Sequence, residues 1–440
     1  MSYYLALAGG FLVHIVIGTT YITGNISVYI ASYLQSKGHN VTLKDLSIIL
    51  PLQILGTTIS LLFGSYLTTK YNPWVTVILG NSILIISVFS TSFITTYAGY
   101  ILVYGILFGI GVGITYTTPL ICSWSHFPNH KGRVSGIIIS GFGFGSSIFN
   151  LVSTKMINPD NKKPENKFHG DKYFNSDISD KLPATLRWLA LIYLVLSIIG
   201  ICLLKKPKKN IELEQFVVSQ KNDECPSIKD GIKTKLFWIT FAMGFCSIMP
   251  GIYLASAYKS FGKDKINDDE FLTIVGSVGS IFNGSFRYFW GQVMDKTSFK
   301  TSYGILLVLQ TALIITLYYI ASIKALYLIW ISLILCCEGG HFSLYPTVIA
   351  RMYGKVMGAK IYGVLFYCFG SGAITGFLIQ FYFVKAIGYQ GLFIILAGFT
   401  GVSLLILLLF FKENNIWLEQ RKLTEISTIK FIDRDTLDKD

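Results

Sequence analysis

Residues Gly279–Lys296 read "GSIFNGSFRYFWGQVMDK", an apolar and aromatic run with Arg287 near its middle. With the residues before it, the stretch has the length of a membrane-spanning helix, placed at 270–292. An arginine at the centre of such a helix costs about 2.5–3.5 kcal/mol on insertion scales, so it has to face water, a ligand anion or a carboxylate. Guanidinium is planar and permanently charged, and its parallel N–H groups match a carboxylate in a way lysine does not. The stretch therefore predicts a helix inside a bundle with an anion site on it. A structural ion pair with the other mid-membrane charge, Glu338, is the competing expectation.

The rest of the chain repeats the apolar pattern. Hydrophobic residues make up 52% of the 440 and charged residues 14%, against the roughly one-quarter charged in soluble domains. A spanning helix needs about 20 apolar residues. Twelve runs qualify: 5–33, 46–69, 74–92, 97–121, 132–157, 184–204, 234–258, 270–292, 301–321, 326–350, 357–382 and 388–411. The fold class expected is an all-α polytopic membrane protein. Long polar stretches fall only at 158–183, 205–233 and 412–440. The middle one opens "KKPKKN" at Lys205 and separates six runs from six. It predicts an N-terminal six-helix bundle over 1–204, a cytoplasmic linker over 205–233, a C-terminal six-helix bundle over 234–411 and a cytoplasmic tail over 412–440.

The formal charge is +13, from 37 basic and 24 acidic residues. Counting Arg133, Lys235 and Lys360, which sit within the first few residues of their runs, 22 of the 37 lie on the side holding both termini and 12 in the segments on the other, which places both termini in the cytoplasm or its organellar equivalent. The basic excess is topogenic, and nucleic acid is excluded as a partner. Five of the seven cysteines lie inside predicted spans and Cys122 directly follows one, which argues against a disulfide framework, and no pair has zinc-site spacing. The ladders Gly141-x-Gly143-x-Gly145 and Gly370-x-Gly372 lack the Lys-Ser/Thr ending of a phosphate loop. No hydrolase or metalloprotease signature is present, so no enzyme activity, cofactor or metal is expected.

A shift of 227 positions relates the halves at structure-directing residues: Gly24 to Gly251, Gly64 to Gly291, Gly113 to Gly340, Pro119 to Pro346, Gly136 to Gly363 and Gly143 to Gly370. The same shift sets Ser60 opposite Arg287. Two related halves are thus expected, with the charge on one of them only.

Several stretches resemble the major facilitator superfamily, and within it the monocarboxylate porter family on the oxalate–formate antiporter side. They are "HIVIGTTYITGN" (His14 to Asn25), "FPNHKGRVSGIIISGFGFGSSIF" (Phe127 to Phe149), "NGSFRYFWGQVMDK" (Asn283 to Lys296), "EGGHFSLYPTVIARMYG" (Glu338 to Gly354) and "YGVLFYCFGSGAI" (Tyr362 to Ile374). The resemblance implies twelve helices in two pseudo-symmetric six-helix bundles, with substrate held near the midplane between them. It implies that Arg287, on the eighth helix, is the substrate arginine. It puts Tyr21, Tyr29, Tyr116 and Phe142 on spans that line the cavity, and Asp295 and Lys296 in a gating loop. In the oxalate transporter a lysine of helix eleven supplies a second positive charge; Phe369 stands at the matching position. One cation and a phenylalanine suit a monocarboxylate with a methyl group, such as pyruvate or lactate, better than oxalate. The loop "GSYLTTKYNP" (Gly64 to Pro73) lacks the acidic residue that Asp295 supplies in the second half.

Glu338 and His341 lie three apart and are expected to share a helix face. Both are candidates for carrying a coupled proton, as is His14 in the first span. The function expected is secondary active transport of small organic anions, the partners being a small carboxylate, the lipid bilayer and, in a symport mode, protons. Symport and antiport are both open. An oxalate/formate-type exchanger and a transporter-like sensor without flux are the alternatives. A monomer is expected, in the plasma membrane before an organelle membrane of mitochondrial or plastid type.

Overall fold

A computed structural model describes residues 2–124, 126–127, 131–160, 162, 164–168, 171–204, 225–266 and 268–413. Most of the 205–233 stretch and nearly all of the 412–440 tail lie outside the described residues.

Among the described residues the chain makes twelve spanning helices. The first six are α1 (Tyr4–Ser36), α2 (Ile49–Lys70), α3 (Pro73–Thr91), α4 (Tyr97–Trp124), α5 (Lys131–Ile157) and α6 (Leu182–Leu203). The second six are α7 (Lys235–Lys265), α8 (Asp269–Lys296), α9 (Phe299–Ile320), α10 (Lys324–Tyr353), α11 (355–387) and α12 (389–410). α11 and α12 run on from one another except at Gly388, whose φ of 65° breaks the helix; only glycine takes that left-handed backbone freely. α8 is less apolar than the runs recognisable by hydropathy alone. It forms because its polar residues face the bundle interior rather than lipid. Side chains start several of these helices: Asn72 precedes Pro73 at α3, while Thr234, Asp268 and Ser298 accept backbone N–H groups at the starts of α7, α8 and α9. A short antiparallel ladder, β1 (Asn166–Phe168) with β2 (Asp171–Tyr173), pairs Asn166 with Tyr173 between α5 and α6.

The two sets of six pack as two bundles. α1 lies on α5 and α6, α2 on α4, α7 on α11, α8 on α10, and α9 on α12. α3, α6, α9 and α12 form the outside, presenting residues such as Phe89, Trp188, Ile305 and Leu405. Those exposed apolar faces suit contact with lipid.

The bundles meet along two seams, α5 against α8 and α2 against α11. Small residues let the backbones close. A Cβ at Gly143 would overlap Gly284 Cα, and one at Gly136 would come 2.7 Å from Tyr288 Cα. On the other seam a Cβ at Gly363 would lie 3.1 Å from Leu62 Cα, and one at Gly370 would overlap Thr58 Oγ1. Gly136 and Gly363, and Gly143 and Gly370, are partners under the 227-residue shift, so the internal repeat builds equivalent contacts on both seams.

Side-chain contacts join the bundles toward both faces. Toward the face bearing the termini, Asp295 at the end of α8 accepts from Arg133 N at the start of α5 (3.2 Å) and pairs with Arg351 (3.1 Å). Arg351 also pairs with Glu413 at 3.3 Å. Toward the opposite face, Ser147 Oγ donates to Ser277 O (3.4 Å) and Lys44 Nζ sits 4.2 Å from the Phe381 ring centroid.

Candidate functional site

α1 is not uniformly α-helical. Residues Gly18–Ile22 form a turn of 3-10 helix, where a Cβ on Gly18 would overlap the Phe142 backbone. A local change of helix type at close contact commonly marks a functional bend, and Tyr21 projects from it toward the C-terminal bundle. Its hydroxyl donates to Glu338 Oε1 at 2.6 Å, a bond between α1 of one half and α10 of the other.

Glu338 is fully buried. Its other oxygen, Oε2, accepts from Asn283 Nδ2 at 3.3 Å, and Asn283 Nδ2 also donates to Leu335 O. Asn283 stands one helical turn before Arg287 on α8. Its Oδ1 accepts from Arg287 Nε (3.1 Å) and Nη2 (2.8 Å), while Arg287 Nη1 donates to Ile139 O on α5 at 3.3 Å. The Arg287 guanidinium lies between two rings, 5.1 Å from the Phe142 centroid and 5.2 Å from Phe342, with 1% of the side chain exposed. No salt bridge joins Arg287 to Glu338 or to any other carboxylate among the described residues. The expected alternative of a direct structural ion pair is therefore corrected: the Asn283 carboxamide separates the charges, its oxygen toward the cation and its nitrogen toward the carboxylate. Asn283 was not singled out from sequence, although its position four residues before Arg287 is the spacing that puts two side chains on one helix face.

Two small cavities flank this chain of polar groups. One, about 30 Å³, is walled by Tyr21, Tyr116, Phe142, Arg287, Phe342 and Phe366. The other, about 20 Å³, lies toward the face away from the termini and is walled by Tyr21, Asn150, Tyr258, Ser280, Asn283 and Glu338. Tyr21 is common to both. A cavity of about 10–15 Å³ holds one water, so each has room for very small groups only.

The site residues expected from sequence fall into two groups. Arg287, Tyr21, Tyr116, Phe142 and Glu338 converge on these cavities, and His14 lies beside them, its ring edge-on to Tyr116 with centroids 5.5 Å apart. The others are elsewhere. Tyr29 is stacked on Phe174 at 4.9 Å, at the far end of α1. Phe369 is fully buried behind Phe342 and Phe366, touching Tyr345; Phe366, one turn earlier, takes the wall position. His341 does not share a working face with Glu338. Its Nε2 bonds Gln310 Oε1 (2.9 Å) and its Nδ1 bonds Tyr303 Oη (3.1 Å), inside the C-terminal bundle and away from both cavities. The two side chains diverge because a three-residue step turns the helix about 60° short of a full circle, and α10 is packed on different helices to either side. Asp295 holds the contacts between bundles described above, whereas Lys296 is exposed.

The sequence model of the Major Facilitator Superfamily matches residues 11–366 and 236–430. The apicoplast pyruvate carrier 1 of Toxoplasma gondii is 27% identical over 438 residues, covering 82% of this chain and 80% of the carrier. The oxalate:formate antiporter of Oxalobacter formigenes is 21% identical over 314 residues, covering 71% of this chain and 69% of the antiporter. Among solved structures, a proton:xylose symporter superposes with a TM-score of 0.68 at 12% identity, covering 93% of this chain and 95% of the symporter.

Proposed function

As the chain belongs to the Major Facilitator Superfamily, we propose that it is a secondary active transporter of small organic anions, with monocarboxylates of the size of pyruvate or lactate as substrates. One observation carries this reading: Arg287 is a buried cation on the cavity wall whose hydrogen bonds go to a neutral carboxamide and a backbone carbonyl, with no carboxylate paired to it among the described residues. A guanidinium in that setting is matched by an incoming carboxylate, which can take two parallel N–H groups. The surrounding rings exclude water and strengthen that contact. Phe342 and Phe366, on the cavity wall, offer an apolar surface to a methyl group. The similarity to a pyruvate carrier and to an oxalate:formate antiporter supports the same substrate class.

Glu338 is the group we assign to proton coupling. It is held by Tyr21 of one bundle and Asn283 of the other, so a change in its charge acts on the contact between the halves. Both termini face the cytoplasm or its organellar equivalent in this reading, and the similarity to an apicoplast carrier makes an organelle membrane as good a placement as the plasma membrane.

The test is uptake of labelled pyruvate, lactate, formate and oxalate into proteoliposomes, with and without an inward proton gradient, for the wild type and Arg287→Gln. The expected result is monocarboxylate uptake that the substitution removes. Undiminished uptake by Arg287→Gln would end the proposal.

A further inference from the structure

Beside Arg287, toward the face bearing the termini, three buried polar atoms make no well-formed hydrogen bond among the described residues: His14 Nε2, and Tyr116 Oη and Tyr362 Oη, whose hydroxyls face each other across the bundles. They come from α1, α4 and α11, hence from both bundles. They form one cluster. The His14 and Tyr116 rings meet edge-on at 5.5 Å; Tyr116 and Tyr362 both pack on Phe366, at 6.0 and 5.7 Å. Tyr116 walls the same cavity as Arg287. Buried polar groups in native proteins are nearly always bonded, so three together without a well-formed bond point to a ligand that supplies the missing bonds.

The chemistry of the three atoms defines what they would bind. His14 Nδ1 is 3.0 Å from Gly10 O, and a carbonyl only accepts, so Nδ1 carries the proton and Nε2 presents a lone pair. The two tyrosine hydroxyls donate. The cluster thus offers two donors and one acceptor next to a carboxylate-binding arginine. An oxygen on the carbon adjacent to a carboxylate fits it in either oxidation state. A 2-oxo oxygen accepts from the tyrosines, and a 2-hydroxyl accepts from a tyrosine while donating to His14 Nε2. Resting on the carboxylate reading of Arg287, we propose that His14, Tyr116 and Tyr362 form a subsite for the C2 oxygen of 2-oxo and 2-hydroxy monocarboxylates. Because Tyr362 belongs to the second bundle and the other two to the first, a substrate seated there ties the bundles together on the terminus-bearing side.

Propionate has the carbon skeleton of pyruvate and lactate without the C2 oxygen, so the three acids isolate the subsite. Competition against labelled pyruvate in proteoliposomes should give the full-length wild type a preference for pyruvate and lactate over propionate of roughly tenfold, the scale of one to two net hydrogen bonds. Tyr116→Phe and Tyr362→Phe should each lower that ratio, and the double variant should bring it close to one. His14→Leu should lower the ratio for lactate more than for pyruvate. Equal affinity of the wild type for all three acids overturns the subsite, as does a ratio that the double variant leaves unmoved. If a variant does not reconstitute, the wild-type ratio alone decides. Loss of all uptake in Arg287→Gln together with a flat wild-type ratio leaves the carboxylate site standing and removes only the subsite; uptake intact in Arg287→Gln removes the reading beneath it.

Discussion

α2 and α8 occupy equivalent places in the two bundles under the 227-residue shift, and they are built for opposite purposes. Where α8 has Asn283 and Arg287, α2 has Gly56 and Ser60; where α10 has Glu338, α4 has Gly111. Ser60 Oγ bonds Gly56 O and Ile110 O within its own bundle, and a Cβ on Gly111 would lie 2.6 Å from Leu84 N. The N-terminal half is therefore closed by backbone contact at the positions where the C-terminal half is opened by polar side chains. It contributes rings and hydroxyls instead, through Tyr21, Tyr116 and Phe142. Duplication thus supplies the frame and the seams, whereas the buried charge belongs to one half.

The strongest way to break this comparison is to exchange the pair. Ser60→Arg should prevent accumulation of monodisperse protein, because its surroundings hold no partner for a cation that costs about 2.5–3.5 kcal/mol or more at helix centre; size-exclusion profiles read this directly. Arg287→Ser should fold but lose roughly 30-fold or more in substrate affinity, the scale of removing one partner from a buried charged contact. Equal tolerance of the two substitutions would show that the halves do not differ as described.

Glu338→Gln sharpens the comparison at the other end of the polar chain. It should keep gradient-free uptake within about twofold, since a carboxamide can still accept from Tyr21, and should lose stimulation by an inward proton gradient. Stimulation that survives would move proton coupling to another group.

The seams predict a smaller, graded effect. Gly143→Ala should lower thermal stability by about 1–3 kcal/mol, the usual cost of overpacking, because its neighbour is backbone at Gly284. Gly370→Ala should cost less, because what it meets is the Thr58 side chain, which can rotate. A reversed order would mean that the α2–α11 seam is the tighter one. Smallest of all, Asp295→Asn should change uptake by no more than about fivefold, as expected of a part-exposed ion pair. Its counterpart Thr68, bonded to Gly64 O and Thr118 Oγ1, should tolerate Thr68→Val with a smaller change still.

Helix number, the two halves and the seam glycines were legible from composition and from the internal shift, because the bilayer fixes helix length and small residues mark close contact. Arg287 and Glu338 were legible because charge is rare at membrane depth. What lay between them was not. Asparagine is common enough in this chain that nothing but the i,i+4 step to Arg287 marks Asn283, and whether it bridges or merely neighbours depends on the rotation of α8. The same rotation problem hid the divergence of His341 from Glu338 and the replacement of Phe369 by Phe366 on the cavity wall. Residues one turn apart are alike in sequence terms and lie in different places once the helices are packed.

Seams of backbone pressed on backbone have a further consequence, which concerns friction. A contact such as Gly143 on Gly284 contains no rotamers to unlock and no side-chain order to lose, so displacement along it meets little resistance of its own. Resistance is concentrated where side chains cross between the bundles, among them Tyr21 on Glu338, Arg287 on Ile139 O, Ser147 on Ser277, Lys44 on Phe381, and Asp295 on the start of α5. In an alternating-access cycle the rate at which the halves exchange orientation would then be set by a few polar clasps at separate depths, each tunable by one residue while the bearing between them stays the same.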